Sequence, residues 1–265
     1  MGDVTGPVEA PPPPSAAPER QAARAGPGLI TRQKARHEAH HGDQPVLGVV
    51  CGLQSEAAAL GAWRRDARIA VEITGARAGA AAAAAERLAA RGVSAFVSFG
   101  LAGGLDPSLR PGDALRPIAV TNSLGASIPV AAPLEGVAIA RLASADRIID
   151  TPKAKAALAA ETGAAAVDME SWEVASVAAR RRAPLLVLRA VADPADRALP
   201  PAALTATRPD GGVALGAVLG ALARSPGQLP DLVRLGRDAA SGTETLKRLI
   251  AEGALKAFLI AHAPH

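Results

Sequence analysis

Four carboxylates stand where a short apolar run gives way to glycine or to a new helix: Glu56, Asp168, Glu170 and Asp193. Carboxylates at such junctions can work as general acid and base, or can grip a sugar diol through charge-assisted hydrogen bonds. Each also has a structural explanation. Glu56 in Gln54-Ser55-Glu56 would meet the dipole of a starting helix. Asp168 would cap the helix that Glu170 enters. Asp193 would close a strand, and Met169 would be core filler. The chain restricts what else could do chemistry. Its five histidines are His37, His40, His41, His262 and His265, so none falls between residues 42 and 261. A Ser-His-Asp triad, a Cys-His pair and a histidine metal centre are therefore close to excluded between residues 42 and 261. Cys51 is the single cysteine, which rules out an intrachain disulfide and a multi-cysteine zinc site. The triplet His37, His40 and His41 reads as part of a solvated tail rather than a metal site. Arg189, inside an apolar run, needs an ionic partner if buried. The run 100–105, Gly-Leu-Ala-Gly-Gly-Leu, allows close backbone approach to a ligand, but lacks the dinucleotide-binding spacing.

These residues are spaced by apolar runs that read as buried strands, at 46–51, 69–73, 93–99, 137–142, 164–167 and 185–191, with another at 113–120. Alanine-rich helices are expected at 78–91, 151–162 and 170–182, and three more at 211–224, 229–238 and 242–258. Near-continuous apolar strands joined by crossover helices predict a three-layer α/β fold: a mainly parallel or mixed central sheet with helices on both faces. In such sheets the ligand lies at the carboxyl ends of the strands, where the four carboxylates fall.

The 265 residues divide into a proline- and alanine-rich tail, 1–44, and a domain, 45–265. The tail, with its run of four prolines at 11–14, cannot bury enough apolar surface to offset its ordering entropy and is expected to be disordered. It has no continuous apolar core of the kind a signal peptide needs, and no apolar run is long enough for a transmembrane helix, so a cytoplasmic location is expected. Hydrophobic residues make up 49% of the chain, enough for a sizeable core, whereas aromatic residues make up only 2%, with no tyrosine. Nucleic-acid binding on aromatic platforms is thereby disfavoured, and the scattered arginines behind the net charge of +4 form no nucleic-acid stripe. Anionic substrates or an anionic membrane surface remain compatible with that charge.

In combination, the motifs carry more than they do singly. Residues 48–56 (Gly-Val-Val-Cys-Gly-Leu-Gln-Ser-Glu), 100–105, Gly112-Asp113, 168–171 (Asp-Met-Glu-Ser) and 189–193 (Arg-Ala-Val-Ala-Asp) resemble the purine nucleoside phosphorylase and methylthioadenosine/adenosylhomocysteine nucleosidase superfamily. The resemblance runs from residue 46 to about 220. Within that superfamily, Leu-Gln-Ser-Glu-Ala at 53–57, residues 97–106 and Arg237-Asp238-Ala239-Ala240 resemble the hopanoid-associated phosphorylases.

The resemblance implies cleavage of an adenine N-ribosidic bond, with adenosylhopane as the first-choice substrate. The alternatives are a soluble methylthioadenosine/adenosylhomocysteine-type nucleosidase and a non-catalytic nucleoside-binding protein of the same fold. Glu170 would hold the ribose hydroxyls and Met169 would pack under the sugar. Asp193 would protonate the purine N7, and Glu56 would activate water. Asp168, Gly103 and Ile148 complete the implied substrate site. No cofactor is implied beyond water or phosphate as co-substrate, and the partners implied are a homodimer or higher homo-oligomer and peripheral contact with the inner membrane. Two departures bear on mechanism. Ser98-Phe99-Gly100-Leu101 replaces the phosphate-binding Arg-x-Gly-Ser/Thr pattern, leaving Arg77 and Ser98 as substitute anion ligands. Ile148 stands where nucleosidases stack a phenylalanine on the purine. The stretch 121–136 is shortened, and its apolar residues Leu124, Ile128, Val130 and Leu134 are expected to rim an open 5′ side together with residues after Asp196.

Overall fold

The computed structural model describes residues 46–75, 77, 79–131 and 136–262; the expected tail at 1–44 and its histidine cluster lie outside them. Eight strands form one mixed sheet: β1 (Leu47–Cys51), β2 (Ile69–Ile73), β3 (Ala95–Gly104), β4 (Ala114–Thr121), β5 (Ser127–Pro129), β6 (Val137–Ser144), β7 (Ala166–Asp168) and β8 (Leu185–Asp193). Each apolar run expected to be a strand overlaps one. β1 is fully buried along its length, and β8 is buried up to its last residue.

Helices cover both faces. On one side α2 (Ala80–Ala90) and α4 (Ser171–Arg181) share a core with β1, β3 and β8 through Ala84, Leu88, Val174 and Ala178. On the other, α1 (Gln54–Ala59), α7 (Leu229–Ala251) and α8 (Ala254–His262) bury Ala57, Leu246, Leu249, Leu255 and Phe258 against the same strands. α3 (Pro152–Thr162) packs Leu158 and Ala159 on a third cluster at Leu105, Ala143 and Val167. Short α5 (Pro201–Leu204) and α6 (Leu215–Arg224) follow β8.

Two details differ from the sequence reading. The helices expected at 229–238 and 242–258 divide instead at Glu252-Gly253, after α7 has run 23 residues without interruption. The glycine in its middle marks a close approach rather than a break: a Cβ on Gly242 would stand 2.9 Å from the Val191 carbonyl oxygen of β8. The sheet is also not a simple open one. β3 pairs with β8, β8 with β4, β4 with β6, β6 with β7, and β7 returns to β3, so five strands close a ring. The closure occurs at an irregularity between Ala102 and Gly103, where β3 shifts register on β8 and its end reaches β7. That bend brings the ends of β3, β7 and β8 together.

Candidate active site

A cavity open to solvent lies at those strand ends. Its walls include Glu56, Gly103, Ile148, Asp168, Met169, Glu170 and Asp193, seven of the nine site residues expected from the sequence. No aromatic ring lines it. Phe96, Phe99 and Phe258 are core residues, and Trp63 and Trp172 pack against the two main cores. The wall carries aliphatic side chains instead, among them Ile148, Ile149 and Val167.

Glu56 is buried at the third position of α1, where its Oε2 accepts the Leu53 N–H (2.8 Å). This is half of a capping box, so the helix-start explanation is correct. Its Oε1, however, leaves the helix and accepts the Leu101 N–H of β3 (2.8 Å). Burial raises the Glu56 pKa above the ordinary value, against the opposing pull of Arg189 and of backbone amides. A carboxylate held by two backbone donors, and made more basic by desolvation, suits proton abstraction.

Glu170 faces it. Burial drives the Glu170 pKa up to about 8, aided by the charges of Asp168 and Glu56 and opposed by Arg189. Both acids reach the cavity across glycines. A Cβ on Gly52 would lie 2.6 Å from Glu170 Oε1, and one on Gly100 would lie 2.6 Å from Glu56 Oε1 and 2.9 Å from Arg189 Nη1. Gly100→Ala must therefore displace the carboxylate or the guanidinium. The expected result is a loss of activity on the order of 10²-fold with an unchanged circular dichroism spectrum, since misplacement by about 1 Å costs that much. Full activity in this variant would show that the position of Glu56 is unimportant.

The Glu170 environment also makes a stability prediction. With its pKa raised from 4.5 to about 8, the folded state holds a proton that the unfolded state releases. The resulting stabilisation is complete below about pH 4.5 and disappears as pH rises through about 8. Melting temperature should fall across that window, and Glu170→Gln should flatten the fall. An equally steep profile in the variant would assign the effect elsewhere.

Arg189 organises the floor. It is fully buried, and its Nε donates to Asp168 Oδ2 (2.7 Å) while its Nη2 reaches Ser98 Oγ (2.8 Å), Ser171 Oγ (3.3 Å) and Glu170 Oε2 (3.5 Å). Nη1 alone is buried with no hydrogen-bond partner among the described residues. Asp168, although it lines the cavity, is committed to Arg189 and to the Ser171 hydroxyl and N–H, so it supports the site rather than offering a free carboxylate. Ser98 is corrected in the same way. It is wholly buried between Ser171 and Arg189 and is no anion ligand. Arg77 is exposed and does not line the cavity, so the proposed anion pair is not assembled. Among the described residues, the cation on the cavity wall is Arg147, exposed in the turn after β6.

Asp193 closes β8 opposite this cluster. Burial raises its pKa, against the lowering effect of Lys155. Lys155 is the functional neighbour that sequence reasoning missed: its side chain is 1% exposed, and it forms an ion pair with Asp193. The signal was present in α3, where positions 155, 158, 159 and 162 form the inward stripe, so a lysine replaces an apolar residue there.

The two stretches expected to rim a 5′ side differ in their relation to the cavity. Leu199 and Thr207, after Asp196, line the cavity. None of residues 121–131 does; Ile128 and Val130 pack on the core, Leu124 is exposed, and Leu134 lies outside the described residues. Arg197 and Arg208, two basic residues after Asp196, are paired with Asp238 and Asp210.

Comparison with known proteins places this geometry. Residues 131–224 match the family model of the Phosphorylase superfamily. No curated protein sequence matches significantly. Among solved structures, the Helicobacter pylori 5′-methylthioadenosine/S-adenosyl homocysteine nucleosidase in complex with a pyrrolopyrimidine-bearing pyrrolidinol is 17% identical, covering 79% of this chain and 100% of that one with a TM-score of 0.53. The native futalosine hydrolase of Helicobacter pylori is 18% identical, covering 80% and 99%, with a TM-score of 0.54. At such identities the likeness establishes the fold. The match over residues 131–224 is thus a similarity of that part of the chain to the Phosphorylase superfamily, and the fold of the described domain is that of the nucleosidase structures.

Proposed function

We propose that the protein hydrolyses the N-ribosidic bond of an adenine nucleoside. The observation that carries this reading is a single buried guanidinium, Arg189, set among three carboxylates, Glu56, Asp168 and Glu170, with Asp193 on the wall of the same cavity. Glycosidic cleavage builds positive charge on the ribose, and the acceptor oxygens of the Glu56 and Glu170 carboxyl groups stand beside it. With Arg77 off the cavity wall and Ser98 enclosed by Arg189 and Ser171, neither expected anion ligand serves a phosphate, which supports water as nucleophile. Water in the cavity beside Glu56 gives its proton to Glu56 as its oxygen bonds to C1′. The C1′–N9 bond breaks, and Asp193 delivers its proton to N7 so that adenine leaves neutral. Glu170 holds the ribose hydroxyls and Met169 packs under the sugar. No metal is needed for these steps, and among the described residues no cluster of metal-ligating side chains occurs.

The preferred substrate carries a bulky apolar 5′ group, as adenosylhopane does. The support is the open cavity and the apolar surface that follows β8, where Val213, Leu215 and Leu219 are 62–68% exposed. No described helix is long and apolar enough to cross a membrane, so access to such a substrate would be from the lipid surface. The decisive experiment incubates the protein with adenosylhopane and with methylthioadenosine, each with and without phosphate. Release of adenine and free ribosyl product, independent of phosphate, is expected, with preference for the lipid-linked substrate. A phosphate requirement would overturn hydrolysis. Equal turnover of methylthioadenosine, no binding to vesicles, and a dimer that buries the apolar face would overturn the lipid assignment.

A further inference from the structure

Lys155 is chemically conspicuous. A lysine ammonium in a protein interior is costly unless its donors are all satisfied. Here the three donors have three acceptors: Asp193, the Pro194 carbonyl (2.6 Å) and the Arg197 carbonyl (3.3 Å). The lysine enters the site from α3, whose start is fixed by Thr151, which caps the Ala154 N–H (3.2 Å), and by Leu199, whose N–H binds the Asp150 carbonyl (2.8 Å). Helix and post-β8 loop are thus stapled together, with the ammonium at the seam. Of the two Asp193 oxygens, the lysine takes Oδ2; Oδ1 has no hydrogen-bond partner among the described residues and is not sealed from solvent. Asp193 and Gly103 share the cavity wall, and a Cβ on Gly103 would lie 3.3 Å from Oδ1.

We infer that Lys155 is a positioning residue for the leaving-group acid: by occupying Oδ2 it confines the proton of Asp193 to Oδ1, the oxygen left for the base. This deepens the functional reading above and rests on it. A carboxylic acid with both oxygens free places its proton on either one, and rotates. With an ammonium on Oδ2 the proton has one place to reside, and the carboxyl plane is fixed. The proton then passes from Oδ1 to N7 as C1′–N9 breaks, and the carboxylate that remains is already paired with a cation. The other charged groups around Asp193 are Arg197 in its own loop and Asp238 of α7, which pair with each other. Glu56, Asp168, Glu170 and the exposed Arg147 line the same cavity. Lys155 is the cation that bonds the acid directly.

The test compares wild type with Lys155→Met and Lys155→Arg on two substrates: an adenine nucleoside, whose leaving group needs a proton, and 4-nitrophenyl riboside, whose leaving group does not. In Lys155→Met, kcat for the adenine nucleoside should fall about 10²-fold, the scale of a misplaced group, while the nitrophenyl substrate changes less than about threefold. The basic limb of its kcat/KM profile should move to higher pH, because removing a neighbouring positive charge makes Asp193 hold its proton longer. Lys155→Arg, which keeps the charge, should leave the limb in place and recover at least about tenfold of the lost kcat. Parallel losses on both substrates with an unmoved limb would reduce Lys155 to a structural staple and overturn the inference. Should Lys155→Met fail to fold, Lys155→Arg against wild type decides by the same substrate contrast. A wild-type protein that releases adenine from no nucleoside defeats the functional reading itself, whereas one that does so with Lys155→Met unaltered defeats only the role of Lys155.

Discussion

Asp193→Asn should lower kcat for an adenine nucleoside by about 10²- to 10⁴-fold, the usual contribution of a general acid, while the dissociation constant for a substrate analogue changes little. Asparagine keeps the size of the side chain and a carbonyl oxygen for the Lys155 ammonium, but it has no acidic proton to give N7. Removing the negative partner of a buried ammonium also carries a stability cost, since Lys155 is 1% exposed. Rates must therefore be compared per folded molecule, with the melting temperature measured alongside. A substrate that leaves as a stable anion should be spared. An Asp193→Asn enzyme with wild-type kcat on adenine nucleosides would remove Asp193 from the chemistry. In the wild type, kcat/KM should decline on the basic side as Asp193 loses its proton, at a pH above the ordinary carboxylate range because burial raises its pKa.

Glu56→Gln should be comparably severe, about 10²- to 10⁴-fold in kcat, for a different reason. The carboxylate oxygens accept from Leu53 and Leu101, so the position is built around an acceptor pair. Glutamine can satisfy one of those donors with its oxygen, but presents its amide nitrogen to the other and cannot take a proton from water. This variant also separates the two nucleophiles. Phosphate needs no base to attack, so a Glu56→Gln enzyme that retains activity in the presence of phosphate would identify phosphorolysis. Loss of activity with and without phosphate, with retained binding of a nucleoside analogue, is the result expected for hydrolysis.

Much of this protein is determined locally along the chain. β1 and β8 are legible because both faces of each are buried, so 47–51 and 185–188 read as unbroken apolar runs. The carboxylates are legible as candidates because each stands at a strand-to-helix junction, where backbone ends and dipoles gather. Local sequence could not say which purpose each carboxylate serves. Glu56 turns out to cap α1 and to bridge to Leu101 at once, and Asp168 turns inward to Arg189 although it neighbours Glu170 by only two positions. Those outcomes depend on residues 21 to 45 positions away, whose distance the chain order does not encode. The same holds for Ser98, whose place on β3 gave no sign that Arg189 and Ser171 would enclose it. Ring closure through β7 and β8, which gathers Gly103, Asp168 and Asp193 around one cavity, follows from a register shift in β3 that apolar periodicity does not report. Lys155 is the clearest case. Its helix was legible from alanine content, but its charge was readable as solvated until packing turned that face inward, 38 residues from the aspartate that it pairs with. Periodicity determines which faces are buried, because burial is a property of each element. Which polar groups meet inside is decided only when the elements pack, because pairing is a property of the whole fold.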